Sequence, residues 1–178
     1  MIDPVRELKI RAELLQRGVT AGGAPAIERL RVLPELRRAS PEDLAAFAAS
    51  LQRKHCLAAV AREAGFQSWD QASRVLRGEV NEPDYGDLLY PKGTGTFLNE
   101  WFASYEDARA AHAERGGYLL AYRRHSFLAG RDFVAVTLGL DPDDADWEAI
   151  GFDWLRPRDR EARRRLYGKL LATQREAA

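Results

Sequence analysis

The stretch Arg53–Gly78, RKHCLAAVAREAGFQSWDQASRVLRG, constrains the fold of this chain more than any other, because it encodes two helices, their joint and their packing faces. Cys56, Leu57, Val60, Ala61 and Ala64 recur at the spacing of one helical face, with Arg53, Lys54, Arg62 and Glu63 on the other. Gly65 can take the left-handed conformation that ends a helix, and Phe66 can then fold back onto the apolar face. Ser68 is placed to cap a second helix, and Asp70 favours its positive end. Trp69, Ala72, Val75 and Leu76 repeat at helical spacing until Gly78. If Phe66 and Trp69 are core, truncating either to Ala should cost about 3 to 5 kcal/mol.

A chain of 178 residues with 46% hydrophobic and 30% charged residues can build a sizeable core. The single cysteine, Cys56, excludes an internal disulfide framework and falls on the predicted buried face, which points to a reducing cytoplasm. No apolar run approaches the roughly 18 residues needed to span a bilayer. The opening MIDPVRELKIRAELL mixes charged and apolar residues instead of forming a signal-peptide core, so secretion and membrane insertion are not expected. Net charge is zero but unevenly spread: +4 over residues 1–78, −9 over 79–155 and +5 over 156–178. Pairing of the acidic middle with the basic ends inside the fold is the simple account.

Asp3 before Pro4 marks a helix start, followed by the stripe Val5, Leu8, Ala12 and Leu15, widened by Ile10 and Leu14 and ending near Gly18. Thr20 to Pro25 reads as a turn, and Ala26 to Leu33 as a short helix limited by Pro34. Ser40-Pro41-Glu42-Asp43 opens another helix, carrying Leu44, Phe47, Ala48 and Leu51, which either runs into Arg53 or breaks near Ser50 to Gln52. Residues 79–96 show no sustained periodicity and read as a connector that lies against the surface of the fold through Leu88, Leu89 and Tyr90.

In the second half Ser104 with Asp107 predicts a helix ending at Gly116-Gly117. Tyr118 to Tyr122 reads as a strand and Phe127-Leu128 as part of a second. Arg131 to Leu138 predicts a short helix ended by Gly139, and a single helical turn follows Pro142 through Trp147 to Ile150. A last helix carries Ala162, Leu166, Tyr167, Leu170 and Leu171 inward, with the basic residues from Arg156 onward mostly on its outer face.

Few patterns carry chemistry. Asp141, Asp143, Asp144, Asp146 and Glu148 fail the calcium-loop spacing, since the sixth and twelfth places hold Asp146 and Phe152, and instead read as a helix N-terminus at Asp141 or Asp143. His55, His112 and His125 share no metal-ligand spacing, so no metal site is expected. No nucleophile elbow, phosphate loop or dinucleotide fingerprint occurs, and no catalytic residue or cofactor is assigned. Trp101, Tyr105, Arg109 and His112 are expected on roughly one helix face, near Tyr122, Arg123 and His125. Rings beside Arg and His bind anionic or planar ligands by stacking and charge-assisted hydrogen bonds. The plain alternative is a half-buried face whose polar tips reach solvent.

Residues 57–78 resemble the helix-turn-helix of AraC-type transcription regulators, carried by Leu57, Val60, Ala61, Gly65, Phe66, Ser68, Ser73, Arg74, Val75 and Leu76. That resemblance implies a helix in the major groove with Gln71, Arg74 or Arg77 reaching bases or phosphates. Cys56, Val60, Ala61, Gly65, Phe66, Ser68 and Trp69 resemble more closely the Gly-Phe-x-x-Trp helical module of bacterial ankyrin-type and glyoxalase-related proteins. The whole chain, including WFASYEDAR, GGYLLAYR and LGLDPDDADWEAIGFDW, is similar to a family of uncharacterised proteobacterial proteins.

The expected class is mainly α (α+β): a helical bundle over 1–78, a connector over 79–96, and an α+β portion over 97–178 with helices and a short β-hairpin or strand pair. The expected role is a non-enzymatic cytoplasmic binding or protein-interaction module, its partner a protein or a small anionic or planar ligand. DNA binding through 57–78 is the first alternative, and a small-ligand enzyme with His112 or His125 as general base the second.

Overall fold

The computed structural model of the protein describes residues 3–79, 84–91, 93–94 and 97–176. The chain is mainly helical, with one small antiparallel sheet among the described residues. No helix among the described residues is long and apolar enough to cross a membrane.

Five α-helices among the described residues build the first half. α1 spans Pro4–Thr20, and the Asp3 side chain caps it by accepting the Arg6 N–H at 2.9 Å. It buries Val5, Leu8, Ala12, Leu15 and Val19. Two expectations fail here: the helix runs past Gly18, and Leu14, assigned to the inner stripe, is 58% exposed. α2, Ala24–Arg29, tightens into two 3-10 turns, Leu30–Val32 and Pro34–Leu36. α3, Pro41–Ala49, is capped by Ser40, whose hydroxyl accepts the Asp43 N–H. A break separates it from α4, Arg53–Glu63, where the Gln52 N–H donates to His55 Nδ1 at 3.2 Å. That bond turns the backbone out of one helix and starts the next. α5, Trp69–Leu76, is capped by Ser68 through the Gln71 N–H.

The sheet contains β1 (Glu100–Phe102), β2 (Tyr118–Tyr122) and β3 (His125–Ala129), in the order β1-β3-β2. Its register places Trp101 opposite Phe127 and Phe127 opposite Leu120. A strand pair was expected, and β1 is the addition. It sits directly before α6, Tyr105–Arg115, whose N-cap Ser104 accepts the Asp107 N–H. One sheet face, carrying Leu119, Leu128 and Phe102, packs under α6 against Ala108 and Ala111. The other face carries Trp101, Phe127 and Tyr122 against Tyr90 and Phe133.

The expected helix over 131–138 winds as a π-helix at Phe133–Thr137. α7, Ala145–Ile150, is capped by Asp144 rather than by Asp141 or Asp143, because Asp144 accepts the Asp146 N–H. Asp143 instead pairs with Arg131. α8, Arg160–Glu176, buries Ala162, Leu166, Tyr167, Leu170 and Leu171 as expected. Its basic residues meet the acidic middle: Arg165 pairs with Asp146, and Lys169 with Asp144 and Asp146. Arg163 breaks the pattern, since it is wholly buried instead of lying on the outer face. α8 also packs on α1, and one continuous apolar cluster runs from Val5 through the sheet to Leu171.

Candidate functional site

The joint between α4 and α5 borders a concavity. Gly65 has φ +90, and a Cβ there would lie 2.9 Å from the Leu88 backbone nitrogen. Gly86 has φ +72, and a Cβ there would lie 2.7 Å from the Gly65 carbonyl oxygen. The two glycines therefore let the loop over residues 84–91 press onto the joint, where the Asp87 N–H donates to the Gly65 carbonyl at 2.7 Å. Phe66 turns inward, its N–H bonded to the Ala61 carbonyl, and the loop buries its own Leu88 and Leu89.

Gln71 locks this arrangement. Its side-chain oxygen accepts the Gln67 N–H at 2.7 Å, and its amide donates to the Asp84 carbonyl and carboxylate at 2.9 and 3.0 Å. The turn between β2 and β3 closes the far side, with Arg123 N–H bonded to the Gly86 carbonyl and Tyr85 N–H to the Arg123 carbonyl. Arg123 adopts φ 51, an unusual conformation for a residue with a side chain.

Between these elements lies a cleft of about 470 Å³, within the range of small-ligand sites. Its charges come from Arg37, Arg62, Glu63, Asp87 and Arg123. Two pairs are internally satisfied: Arg123 donates to both Asp87 oxygens at 2.7 and 3.1 Å, and Arg29 does the same to Glu63 at 2.9 and 2.7 Å. The Asp87 hydrogen bonds raise the Arg123 guanidinium above its ordinary value, and those of Glu63 do so for Arg29. Arg37 and Arg62 have no acidic partner among the described residues, and Arg62 Nε is shielded from solvent without a hydrogen bond. The cleft thus carries two uncompensated positive charges. A carboxylate or phosphate is the complementary group.

Arg123 links the cleft to an aromatic shelf. Its guanidinium lies 5.1 Å from the Tyr122 ring centroid, and Tyr122 meets Trp101 edge-on at 5.8 Å. Tyr90 joins them, at 5.0 Å from Trp101 and 5.3 Å from Tyr122. Trp101 is 44% exposed, so part of its ring is presented to solvent.

The residues expected on one helix face divide between two sides of the sheet. Trp101 lies on β1, not on α6, because the Ser104 cap starts the helix after it. Trp101, Tyr122 and, by register, His125 belong to the Tyr90 side. Tyr105, Arg109 and His112 belong to α6 on the opposite side. Tyr105 donates to Asp153 at 2.5 Å under the Arg156 guanidinium, and burial followed by Asp153 pushes its phenol up to about 12. The His112 ring nitrogen contacts the Gly117 carbonyl at 3.2 Å, and His125 is exposed. Neither histidine lines the cleft. Among the described residues no three of His, Cys, Asp and Glu are grouped to hold a metal ion.

Over the segment of the helix-turn-helix expectation, α4 and α5 are two helices joined by a short turn, and the named residues differ in exposure. Gln71, offered as a base reader, is buried with its amide committed to Asp84, and five of the eight residues of α5 are buried. Arg74 is exposed beside Asp70 at 3.2 Å, and Arg77 is exposed. Arg37, Arg62 and the loop Gly86–Leu88 were not singled out by sequence reasoning. Arg62 reads correctly as an outer-face residue of α4, but no local pattern signals which remote segments close over it. No protein-family model matches the chain, and no match was found among curated proteins or solved structures.

Proposed function

We propose that this protein is a non-catalytic binding module whose cleft at the α4–α5 joint takes a small ligand bearing a carboxylate or phosphate. The observation that carries this reading is the pair Arg37 and Arg62, which line the cleft without an acidic partner among the described residues while its other charges are paired. The ligand's anionic group sits against these guanidiniums, where planar, directional donors favour an oxyanion over a halide or a neutral polar group. The adjoining Tyr122–Trp101 shelf suits a planar extension of the same ligand, with Arg123 at the junction. Binding rather than turnover is supported by the lining itself, which places no histidine, serine or cysteine beside the arginines and holds both carboxylates in ion pairs.

Citrate and inorganic phosphate are suitable first probes in thermal melts at matched ionic strength. Saturable stabilisation of the wild type, lost in an Arg37→Ala, Arg62→Ala double variant, is the expected result. Equal stabilisation of both proteins would reject the cleft. Retention of random duplex DNA at moderate salt, abolished by Arg74→Ala with Arg77→Ala, would instead favour the exposed end of α5 as a nucleic-acid contact.

A further inference from the structure

The sheet has two edges, and among the described residues only one is covered. On the β2 side the segment after α7 joins the sheet: the Leu119 N–H donates to the Phe152 carbonyl and the Trp154 N–H to the Leu119 carbonyl, both at 2.9 Å. β1 is the opposite edge and pairs with β3 alone. Its outward side makes no backbone hydrogen bond with any other described segment. Unpaired N–H and C=O groups along a strand are a template for another strand.

A groove adjoins this open edge. Leu98, just before β1, is fully exposed, and Val136 on the π-helix is largely so; they are the two most exposed large apolar side chains among the described residues. Between the segment leading into β1 and the start of the helix lies a groove of about 410 Å³, lined by Phe97, Leu98, Asn99, Arg131, Asp132 and Phe133. Phe97 meets Phe133 edge-on at 5.7 Å, and Phe133 meets Phe127 of β3 at 5.5 Å, so the apolar wall continues into the sheet face. Val136 stands about one turn beyond Asp132.

Charge selects the occupant. Arg131 is held by both Asp143 oxygens, and Glu100 by Arg115. Asp132 has no ion pair among the described residues, so the unbalanced charge of the groove is negative. A second copy of this chain fits poorly. β1 is only three residues long, and a two-fold contact across it would set acidic surfaces together, since residues 79–155 carry −9. An extended cationic segment meets both the open backbone and the free carboxylate.

We propose that the β1 edge docks an extended peptide of a partner protein, which adds a strand beside β1, fills the groove with an apolar side chain and sets a lysine or arginine against Asp132. Side chains alternate along a strand, so the recognised pattern is an apolar and a basic residue two positions apart. Main-chain hydrogen bonds supply affinity and the groove supplies selection. The surface is separate from the α4–α5 cleft, since no residue lines both.

The test is selection of a random peptide library displayed on phage against the full chain, followed by calorimetry with the enriched peptides. Enrichment of the apolar and basic pattern is expected, with backbone amide shifts on binding at 98–102 and 131–136. Affinity should fall roughly tenfold or more in Leu98→Glu, and equally for a peptide N-methylated at alternate residues. Asp132→Lys should exchange the basic preference for an acidic one. Leu98 and Asp132 are exposed, so both variants keep the fold. Selection without a common pattern, or enriched peptides that shift other surfaces, would overturn the proposal. Equal binding by the N-methylated peptide would exclude strand addition. A concentration-dependent dimer with shifts at 98–102 would assign the edge to a second copy and overturn the proposal as well.

Discussion

The open cleft and the closed core both contain arginines without acidic partners among the described residues, yet exposure gives them different consequences. Arg37 is exposed and Arg62 half-buried at the open cleft, so water offsets much of their charge until a ligand arrives, although Arg62 Nε is shielded. Arg163 has no such relief, and its neighbours Trp154 and Tyr167 are among the largest fully buried side chains. An unpaired guanidinium at a surface is available for exchange. The buried one of Arg163 has only the Trp154 and Leu155 carbonyls to offset its desolvation.

The largest effect separating the two regions should follow Trp154→Ala. It removes an indole with 0% exposure and is expected to lower stability by about 3 to 5 kcal/mol in urea melts, while citrate binding by the folded fraction persists. A loss of citrate affinity would couple the two regions and break the comparison.

Gly65→Ala should act on the cleft side with a destabilisation of up to about 3 kcal/mol, because a left-handed backbone and a 2.9 Å approach to Leu88 both oppose a side chain. It should also weaken citrate binding, since it displaces the loop that forms one wall. Unchanged melting would show that the loop does not press on the joint.

Asp146→Asn addresses the ion pairs that join α7 to α8. Burial opposes ionisation of Asp146, but Arg165 and Lys169 outweigh it and hold the carboxyl below its ordinary value of 3.8. A carboxyl lowered in the folded state contributes stability above its unfolded value and loses it as pH falls through the folded one. The variant should therefore be less stable at pH 7 by about 1.5 to 2 kcal/mol, with the difference closing below pH 3.8. A constant gap across that range would contradict the pairing.

Smallest in stability terms are Arg37→Ala and Arg62→Ala. Each should change folding by less than about 0.5 kcal/mol. Each should nevertheless cost roughly tenfold in citrate affinity, about 1.4 kcal/mol. Calorimetry at fixed ionic strength separates the two quantities.

The parts of this fold that were legible are those set by near neighbours in sequence. Asp3, Ser40, Ser68 and Ser104 each cap a helix through an amide three residues on, so their roles are fixed within one turn. The inner stripe of α8 follows from helical period alone. Trp101 falls outside α6 because the Ser104 cap interrupts its helical spacing to Tyr105, and its position depends on pairing with Phe127 much later in the chain. Arg163 lies in an Arg-rich run beside Ala162, and only the segment folding back at Trp154 makes it internal. The cleft was not legible for the same reason. Arg37 and Arg62 are ordinary surface residues until Gly86 packs on Gly65 and closes the space between them.

The cleft is best tested by titrating isotopically labelled protein with citrate at constant ionic strength while following the arginine side-chain Nε–H and backbone amide resonances. Saturable shifts confined to Arg37, Arg62, Gly65 to Gln67 and Gly86 to Leu88, with Arg163 unmoved, are predicted. Shifts spread over exposed arginines without saturation, or none at the α4–α5 joint, would contradict the assignment of this cleft as the binding site.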